Sequence, residues 1–403
     1  MNVDIVIFGG GIAGLWALNR LRALGYHAIL LETTALGAGQ TIKSQGIIHG
    51  GIKYALTGFL SGSANAIEQM PHRWKAALLG TGEIDLHTTQ ILSHHQLLWS
   101  TGSIGSEIAG FFASKALNSR VQKVERSHYP TVLHNAAFKG HVYRLEEVVL
   151  DTPSLIRALA TPHSSAMVKI NSKQGYQFQV QADNPHNILS LKIFSQDKTL
   201  ELHAKRYLFT AGEGNQSLLS TFADVPRMQV RPLQMVMVKI DQSLPFFAHC
   251  IDQGINPRIT ITTHLTQDGK SVWYLGGQLA EDGAKRTPAE QIAAAKKELA
   301  ALFPWLDFSG AQWASFFVNR AEPEQPGGKR PDNVFLETVG NKMIAWPTKL
   351  ALTPVLIDQL IIQLQKQSIH SSGFSSSLNH LEPEFSQFEK PNVALPPWDE
   401  MFE

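Results

Sequence analysis

The chain has 403 residues, of which 43% are hydrophobic and 17% charged, and a formal net charge of +1. That length is too great for one simple core and points to a two-part globular fold, while the near-neutral balance gives no electrostatic case for nucleic acid as a partner. A single cysteine, Cys250, excludes an internal disulfide framework and a cysteine-based zinc cluster.

The opening residues run straight into a strand, without the basic and apolar regions of a secretory signal. No apolar run reaches the roughly 20 residues that span a bilayer. The expectation is a soluble, cytoplasmic protein, with peripheral contact at the inner face of a membrane left open.

Asp4-Ile5-Val6-Ile7-Phe8 reads as a short buried strand. Gly9-Gly10-Gly11-Ile12-Ala13-Gly14 follows and fits G-x-G-x-x-G. It opens a helical pattern carried by Leu15, Leu18, Leu21 and Leu24, which stops at Gly25. A second strand, His27 to Leu31, ends in Glu32 with Thr33 beside it. Each part suits a dinucleotide. Gly9 allows the tight turn, Gly11 admits a pyrophosphate to the backbone, and Gly14 lets helix and strand pack closely. The helix N-terminus at Ile12 and Ala13 offers N–H groups to the phosphates. Glu32 falls where a carboxylate accepts hydrogen bonds from an adenosine ribose, which disfavours NADP.

Leu36-Gly37-Ala38-Gly39-Gln40-Thr41 extends the phosphate-facing region with small residues and hydroxyls. An NAD site needs no second loop of this kind, whereas a dinucleotide that continues into a flavin ring does. Ser44-Gln45-Gly46-Ile47-Ile48-His49-Gly50-Gly51 comes next, followed by Ile52-Lys53-Tyr54. A packed helix avoids such glycines and an ordinary loop does not carry Ile47-Ile48, so something approaches this backbone closely.

Further along, Arg206–Phe209 is a strand running into the small-residue turn Ala211-Gly212, with a short helix from Asn215. Val230–Ile240, Ile259–Thr263 and Ser271–Leu275 read as strands, and Pro288–Leu302 as a helix that starts on a proline. Val355–Gln367 is an amphipathic helix. Residues 371–403 shift to Ser, Pro and acidic residues and are expected to be poorly ordered or pinned only by Phe and Trp contacts. The sixteen histidines show no metal pattern: His94 and His95 are adjacent, and no H-x-x-x-H with a nearby carboxylate reads as a helix-borne ligand set.

These motifs resemble the D-amino-acid oxidase superfamily of FAD-dependent oxidoreductases. The S-x-G-x-x-H-x-G run at 44–51 is similar to the glycerol-3-phosphate dehydrogenase and L-2-hydroxyglutarate dehydrogenase branches. Arg206–Gly214 resembles the later turn that returns to the FAD, and Trp346-Pro347-Thr348-Lys349-Leu350 the final flavin-contacting loop. The resemblance implies an α/β fold of two domains. One is a Rossmann-type FAD-binding domain of the glutathione-reductase type, assembled from residues 1–85, 142–225 and 320–370. The other is a mixed-sheet substrate domain from residues 86–141 and 226–319. It also implies FAD contacts along Gly39, Gln40, Thr41, Ser44, Gln45, Gly46 and Ile48, at Ala211 and Gly212, and at Trp346, Thr348, Lys349 and Leu350. Non-covalent FAD is expected, with a histidyl link at His49 as the alternative.

Several cations are implied to meet a small anionic substrate. Lys53 and Tyr54 are similar to the H-G-G-L-R-Y run of glycerol-3-phosphate dehydrogenases, with lysine keeping the charge but losing the bidentate fork. Arg320 ends a predicted strand, and Gly328-Lys329-Arg330-Pro331 resembles the family's G-x-R-P signature. Lys349 is similar to a carboxylate-binding lysine of amine oxidases. The implied reaction moves a hydride from a C–H next to an amine or hydroxyl to the flavin, and then electrons to oxygen or a quinone. For an alcohol, His49 is the nearest candidate base. Two rival readings remain: a flavin monooxygenase reduced by NAD(P)H, and a flavoprotein acting as a binding partner without turnover. Against the first, no second G-x-G-x-x-G and no G-D-A-x-H-type motif appears.

Overall fold

The computed structural model describes residues 1–50, 67, 69–102, 121–171, 174–195, 198–252, 256–373 and 383–402. In the first strand, Asn2–Phe8, successive side chains point to opposite faces of a sheet. Ile5 and Ile7 join one core while Val6 and Phe8 join another, and all four are buried. Burial on both faces is why this segment reads as a continuous apolar run, the habit of a central parallel strand.

The strand indeed lies at the middle of a parallel array. Its neighbours are Ala28–Glu32 and Lys198–Phe209, and beyond them come Met167–Lys169 and Lys342–Trp346. Phe335–Val339 closes one edge antiparallel. The helix Ile12–Ala23 covers one face together with Thr152–Ala160 and Thr353–Lys366. The antiparallel pair Tyr176–Val180 and Ile188–Ser195 brings Phe178 and Leu191 against Phe8 and Phe209 on the other.

A second sheet of eight strands is antiparallel but for one parallel pairing, Ala248–Ile251 with Gln96–Ser100. The helix Pro288–Leu302 packs on it, started by a capping box in which Thr287 and Glu290 satisfy each other's backbone N–H groups. Its longest pairing joins Met228–Ile240 to Gln312–Pro323, in register from Met228 opposite Pro323 to Lys239 opposite Gln312. One end of this ribbon reaches the first sheet's turns. There Asn319 Nδ2 donates to Glu213 Oε1 at 3.0 Å and the Ala321 N–H to Gln40 Oε1 at 3.3 Å. The sheets change over slightly away from the expected boundaries. Val142–Leu145 hydrogen-bonds to Gln96–Ser100, and Gln312–Pro323 stays in the second sheet throughout, because their ladder partners are there.

Of the two expectations for the tail, residues 383–402 follow the one of Phe and Trp contacts. Phe385 and Phe388 are buried in the first sheet's core. The Leu36 N–H donates to Asn392 O and the Ala394 N–H returns to Leu36 O. Trp398 then stacks on His264 of the second sheet, with ring centroids 3.9 Å apart. Three large aromatic side chains thus hold a segment whose composition is otherwise polar.

Candidate active site

Where the first strand ends, the chain turns at Gly9 with φ of 99°, a left-handed conformation that favours glycine. A Cβ at Gly9 would sit 2.5 Å from the Ala211 Cα, and one at Gly14 only 2.0 Å from the Gly9 carbonyl oxygen. Both glycines are therefore required by protein packing. Gly11 differs: its added Cβ would meet only Thr41 Oγ1, at 3.4 Å, and one on Gly39 would meet nothing within 4 Å. These two line open space.

That space is a cleft of about 500 Å³ bordered by Gly9, Gly11, Thr33, Gly39, Ala211 and Gly212, with Glu32 in its wall. Glu32 also holds the turn itself, because its carboxylate accepts from the N–H groups of Gly10, Thr33 and Thr34 and from the Thr34 hydroxyl. An adjoining space of about 260 Å³ shares Gly11, Gln40, Thr41, Thr210 and Val318 with the cleft. It continues past Ile12, Ala13, Ser44 and Gln45 to Thr348, Lys349 and Leu350. Thr348 has φ of 60°, rare for a β-branched residue, so this loop is held in a strained shape where it lines the cavity. The tight turn, the open Gly11 edge and the following elongated space fit a pyrophosphate flanked by a nucleoside and a flavin ring.

Some expected contacts lie behind the walls. A Cβ on Gly46 would strike the Leu150 carbonyl oxygen at 2.0 Å, so this glycine serves close backbone packing. Ile48 is fully buried in the core. Trp346, also buried, donates its indole N–H to the Gly212 carbonyl at 3.2 Å and so braces the turn from behind.

A third cavity, about 190 Å³, opens from the second through the shared residues Gln45, Leu233, Arg320 and Lys349. His49, Arg330, Glu147, His249, Thr260 and Glu281 add to its polar lining. It thus gathers four of the expected substrate residues, from positions 49, 320, 330 and 349. Lys53 and Tyr54 lie outside the described residues. Arg320 donates through Nη1 to Glu281 Oε1 at 3.3 Å and through Nε to the Arg231 carbonyl at 3.2 Å. Burial and the nearby Arg231 guanidinium lower its pKa, but an arginine keeps its proton at any ordinary pH. Lys349 Nζ donates to Asp332 O at 3.4 Å. Gln45 ties this wall to the second sheet through its amide N–H₂, which donates to the Tyr274 carbonyl at 2.8 Å.

Glu147 and His249 escaped the sequence reading, and the two imidazole rings and the carboxylate meet only in space. His249 falls within the buried strand Ala248–Ile251, where nothing in the pattern marks it. Glu147 did leave a trace, because it directly precedes the apolar run Val148-Val149-Leu150. Cys250, whose thiol burial pushes up to about 12, lines none of these spaces and is no candidate for a flavin link. Among the described residues, no helix is long and apolar enough to cross a membrane.

A glycine turn at the end of a central parallel strand, an acidic residue closing the next strand, and a second sheet facing the same cleft define a two-domain flavoprotein oxidoreductase. More particularly, the chain belongs to the FAD dependent oxidoreductase family (DAO), whose profile matches residues 4–341. It is 44% identical over 404 residues to a probable FAD-dependent oxidoreductase of Pseudomonas aeruginosa, PA4991, a match covering 100% of this chain and 99% of that protein. The crystal structure of PA4991 superposes with a TM-score of 0.83 at 40% identity, covering 100% of this chain and 99% of the other. Two more distant structures share the fold. Glycine oxidase from Geobacillus kaustophilus gives a TM-score of 0.62 at 16% identity, covering 94% of this chain and 99% of its own. Dithionite-reduced L-α-glycerophosphate oxidase from Mycoplasma pneumoniae, with FAD bound, gives 0.63 at 13%, covering 91% and 95%. The protein is an FAD-dependent oxidoreductase.

Proposed function

We propose that the enzyme oxidises a small anionic substrate at a C–H bond next to an amine or hydroxyl, giving an imine or a carbonyl. The observation that carries this reading is the convergence of Arg320, Arg330 and Lys349 on one cavity that opens directly onto the flavin-sized space. FAD, when bound, supplies a two-electron acceptor for hydride. The chain's own work is placement. Guanidinium groups bind a carboxylate or phosphate with paired, charge-assisted hydrogen bonds, and Lys349 adds a point charge where both spaces meet. The apolar walls at Leu233 and Ala351 keep water away from the reacting carbon. Electrons then leave to oxygen or a quinone.

The decisive experiment is anaerobic bleaching of the flavin band with a panel of amino acids, 2-hydroxy acids and hydroxyalkyl phosphates. Reduction by one anionic class, saturating with concentration, is the expected result. Rapid bleaching by NADH or NADPH without substrate would replace this reading with a monooxygenase. A flavin that no donor bleaches would indicate a binding protein.

A further inference from the structure

Glu147 lies in the cavity wall with 4% of its side chain exposed, and the Gly50 N–H donates to its Oε1 at 2.8 Å. Its Oε2 faces two imidazoles, His49 Nδ1 at 3.3 Å and His249 Nε2 at 3.8 Å. Burial by itself would raise the Glu147 pKa, yet His249 and His49 hold it well below the usual carboxylate range. The carboxylate is therefore charged, and a buried charge needs donors around it. His49 Nδ1, within hydrogen-bond distance, therefore carries hydrogen, while His249 Nε2 stands a little beyond that distance.

The consequence differs for the two rings, which lie nearly parallel with centroids 5.7 Å apart. His249 Nδ1 is 2.8 Å from Thr260 Oγ1, so both of its nitrogens are turned to protein groups. His49, half exposed at 48%, lines the cavity. With hydrogen on Nδ1, the neutral His49 ring carries its lone pair on Nε2. Among the described residues, the other ionisable groups around this cavity are Glu281, already bonded to Arg320, and the cations Arg320, Arg330 and Lys349.

We propose that Glu147 and His249 lock His49 in its Nδ1–H form so that Nε2 accepts the hydroxyl proton of an anionic alcohol. The substrate class is then a 2-hydroxy acid or a hydroxyalkyl phosphate. This rests on the dehydrogenase reading above and narrows it. The O–H bond breaks and its proton goes to His49 Nε2. The neighbouring C–H bond breaks with its electron pair, which leaves as hydride to the flavin, and a C=O bond forms. The substrate loses two electrons and the flavin gains two. An amine needs no such base, since its neutral form already carries the lone pair that expels hydride. The imidazolium formed at His49 faces the Glu147 carboxylate, as a triad's acid steadies its histidine. Glu147 and His249 are positioning residues, and His49 is the group that touches substrate.

The test is Glu147→Gln. The amide keeps the shape and still accepts from the Gly50 N–H, but it turns a donor towards His49 Nδ1 and so sends the ring hydrogen to Nε2. We expect normal FAD content and an unchanged dissociation constant for malonate, an inert anion. Flavin reduction by the hydroxy substrate should slow by roughly 10²–10⁴-fold, the range for a misplaced general base. Nitrogen-15 NMR of labelled histidine should report Nδ1–H at His49 in the wild type and Nε2–H in the variant. His49→Gln, at a half-exposed site, should reproduce the slow reduction and retain malonate binding, should Glu147→Gln not fold. A wild-type His49 found as Nε2–H would overturn the proposal, as would wild-type reduction rates in either variant. So would an enzyme reduced by amines alone. If nothing in the panel bleaches the flavin, the dehydrogenase reading falls, while the NMR result still decides how His49 is held.

Discussion

Along the cofactor cleft the wall is mostly main chain: the turn at Gly9, the open edge at Gly11, the small residues Gly39, Ala211 and Gly212. In the cavity proposed for substrate the lining that matters is side chain, with His49, Glu147, His249, Arg320, Arg330 and Lys349 arriving from separate elements. A pyrophosphate is recognised by N–H groups and by absence of side chains, so one contiguous stretch of glycines can specify its site. A particular small substrate needs charges and a base at set distances, and those come from wherever the fold brings them. The cleft is thus built largely from main chain and the cavity from side chains.

The sharpest way to break this contrast is a pair of glycine variants. Gly14→Ala puts a methyl against the Gly9 carbonyl and should prevent folding, read as loss of soluble protein. Gly11→Val meets little protein, so the chain should fold with near-normal far-UV circular dichroism yet purify colourless. A yellow Gly11→Val variant would show that the phosphates lie elsewhere.

Next in size are the cavity cations. Arg330→Ala and Arg320→Ala should each raise the substrate dissociation constant roughly ten- to a hundredfold, corresponding to about 1.5–3 kcal/mol for a charged hydrogen bond, with FAD content unchanged. Anaerobic titration checks this, and unchanged binding in both variants would reduce these residues to wall material.

Glu32 is the side chain that intrudes on a backbone-built site. Glu32→Ala should weaken FAD binding by about 1–3 kcal/mol through the ribose bonds. Because the same carboxylate holds three backbone N–H groups of the turn, the melting temperature of the apoprotein should fall as well. FAD titration alongside apoprotein melting separates the two roles.

The smallest effect concerns an imidazole outside both sites. His264 is buried beneath Trp398, and burial lowers its pKa to about 3 from the ordinary 6.5. The unfolded chain therefore takes up a proton that the folded one refuses. His264 costs nothing above about pH 6.5, and destabilises progressively as pH falls from there towards 3. His264→Asn should flatten the melting temperature against pH in that window. An identical slope would mean that other groups set it.

How much the sequence disclosed follows the same division. The first strand, the glycine turn and the helix behind it were readable because periodicity and glycine spacing are local properties. Arg320, Arg330 and Lys349 were legible as candidates through family resemblance, but only the fold brings them to one cavity with His49. Glu147 was missed because it stands beside Glu146 at the edge of an apolar run, His249 because it lies within a buried strand, and their pairing spans roughly a hundred positions that no periodicity covers. Gly46 and Trp346 were assigned to the cofactor through the family resemblance of the runs they stand in. Packing against Leu150 and Gly212 uses the same residue types.

The placement of the first strand has a consequence for how the molecule comes into being. Asn2–Phe8 is flanked by Ala28–Glu32, formed soon after it, and by Lys198–Phe209, formed far later in the chain. The glycine turn leans on Thr210 and Ala211, so the phosphate cradle has no finished wall until that distant strand has docked. Pairings of such sequence separation carry a loop-closure cost before any ladder bond repays it, and they slow folding. Until they form, the central strand presents an apolar open edge able to pair with other chains. Cofactor capture therefore belongs to a late stage of folding, and FAD supplied during refolding favours the docked arrangement by mass action over the aggregation-prone one.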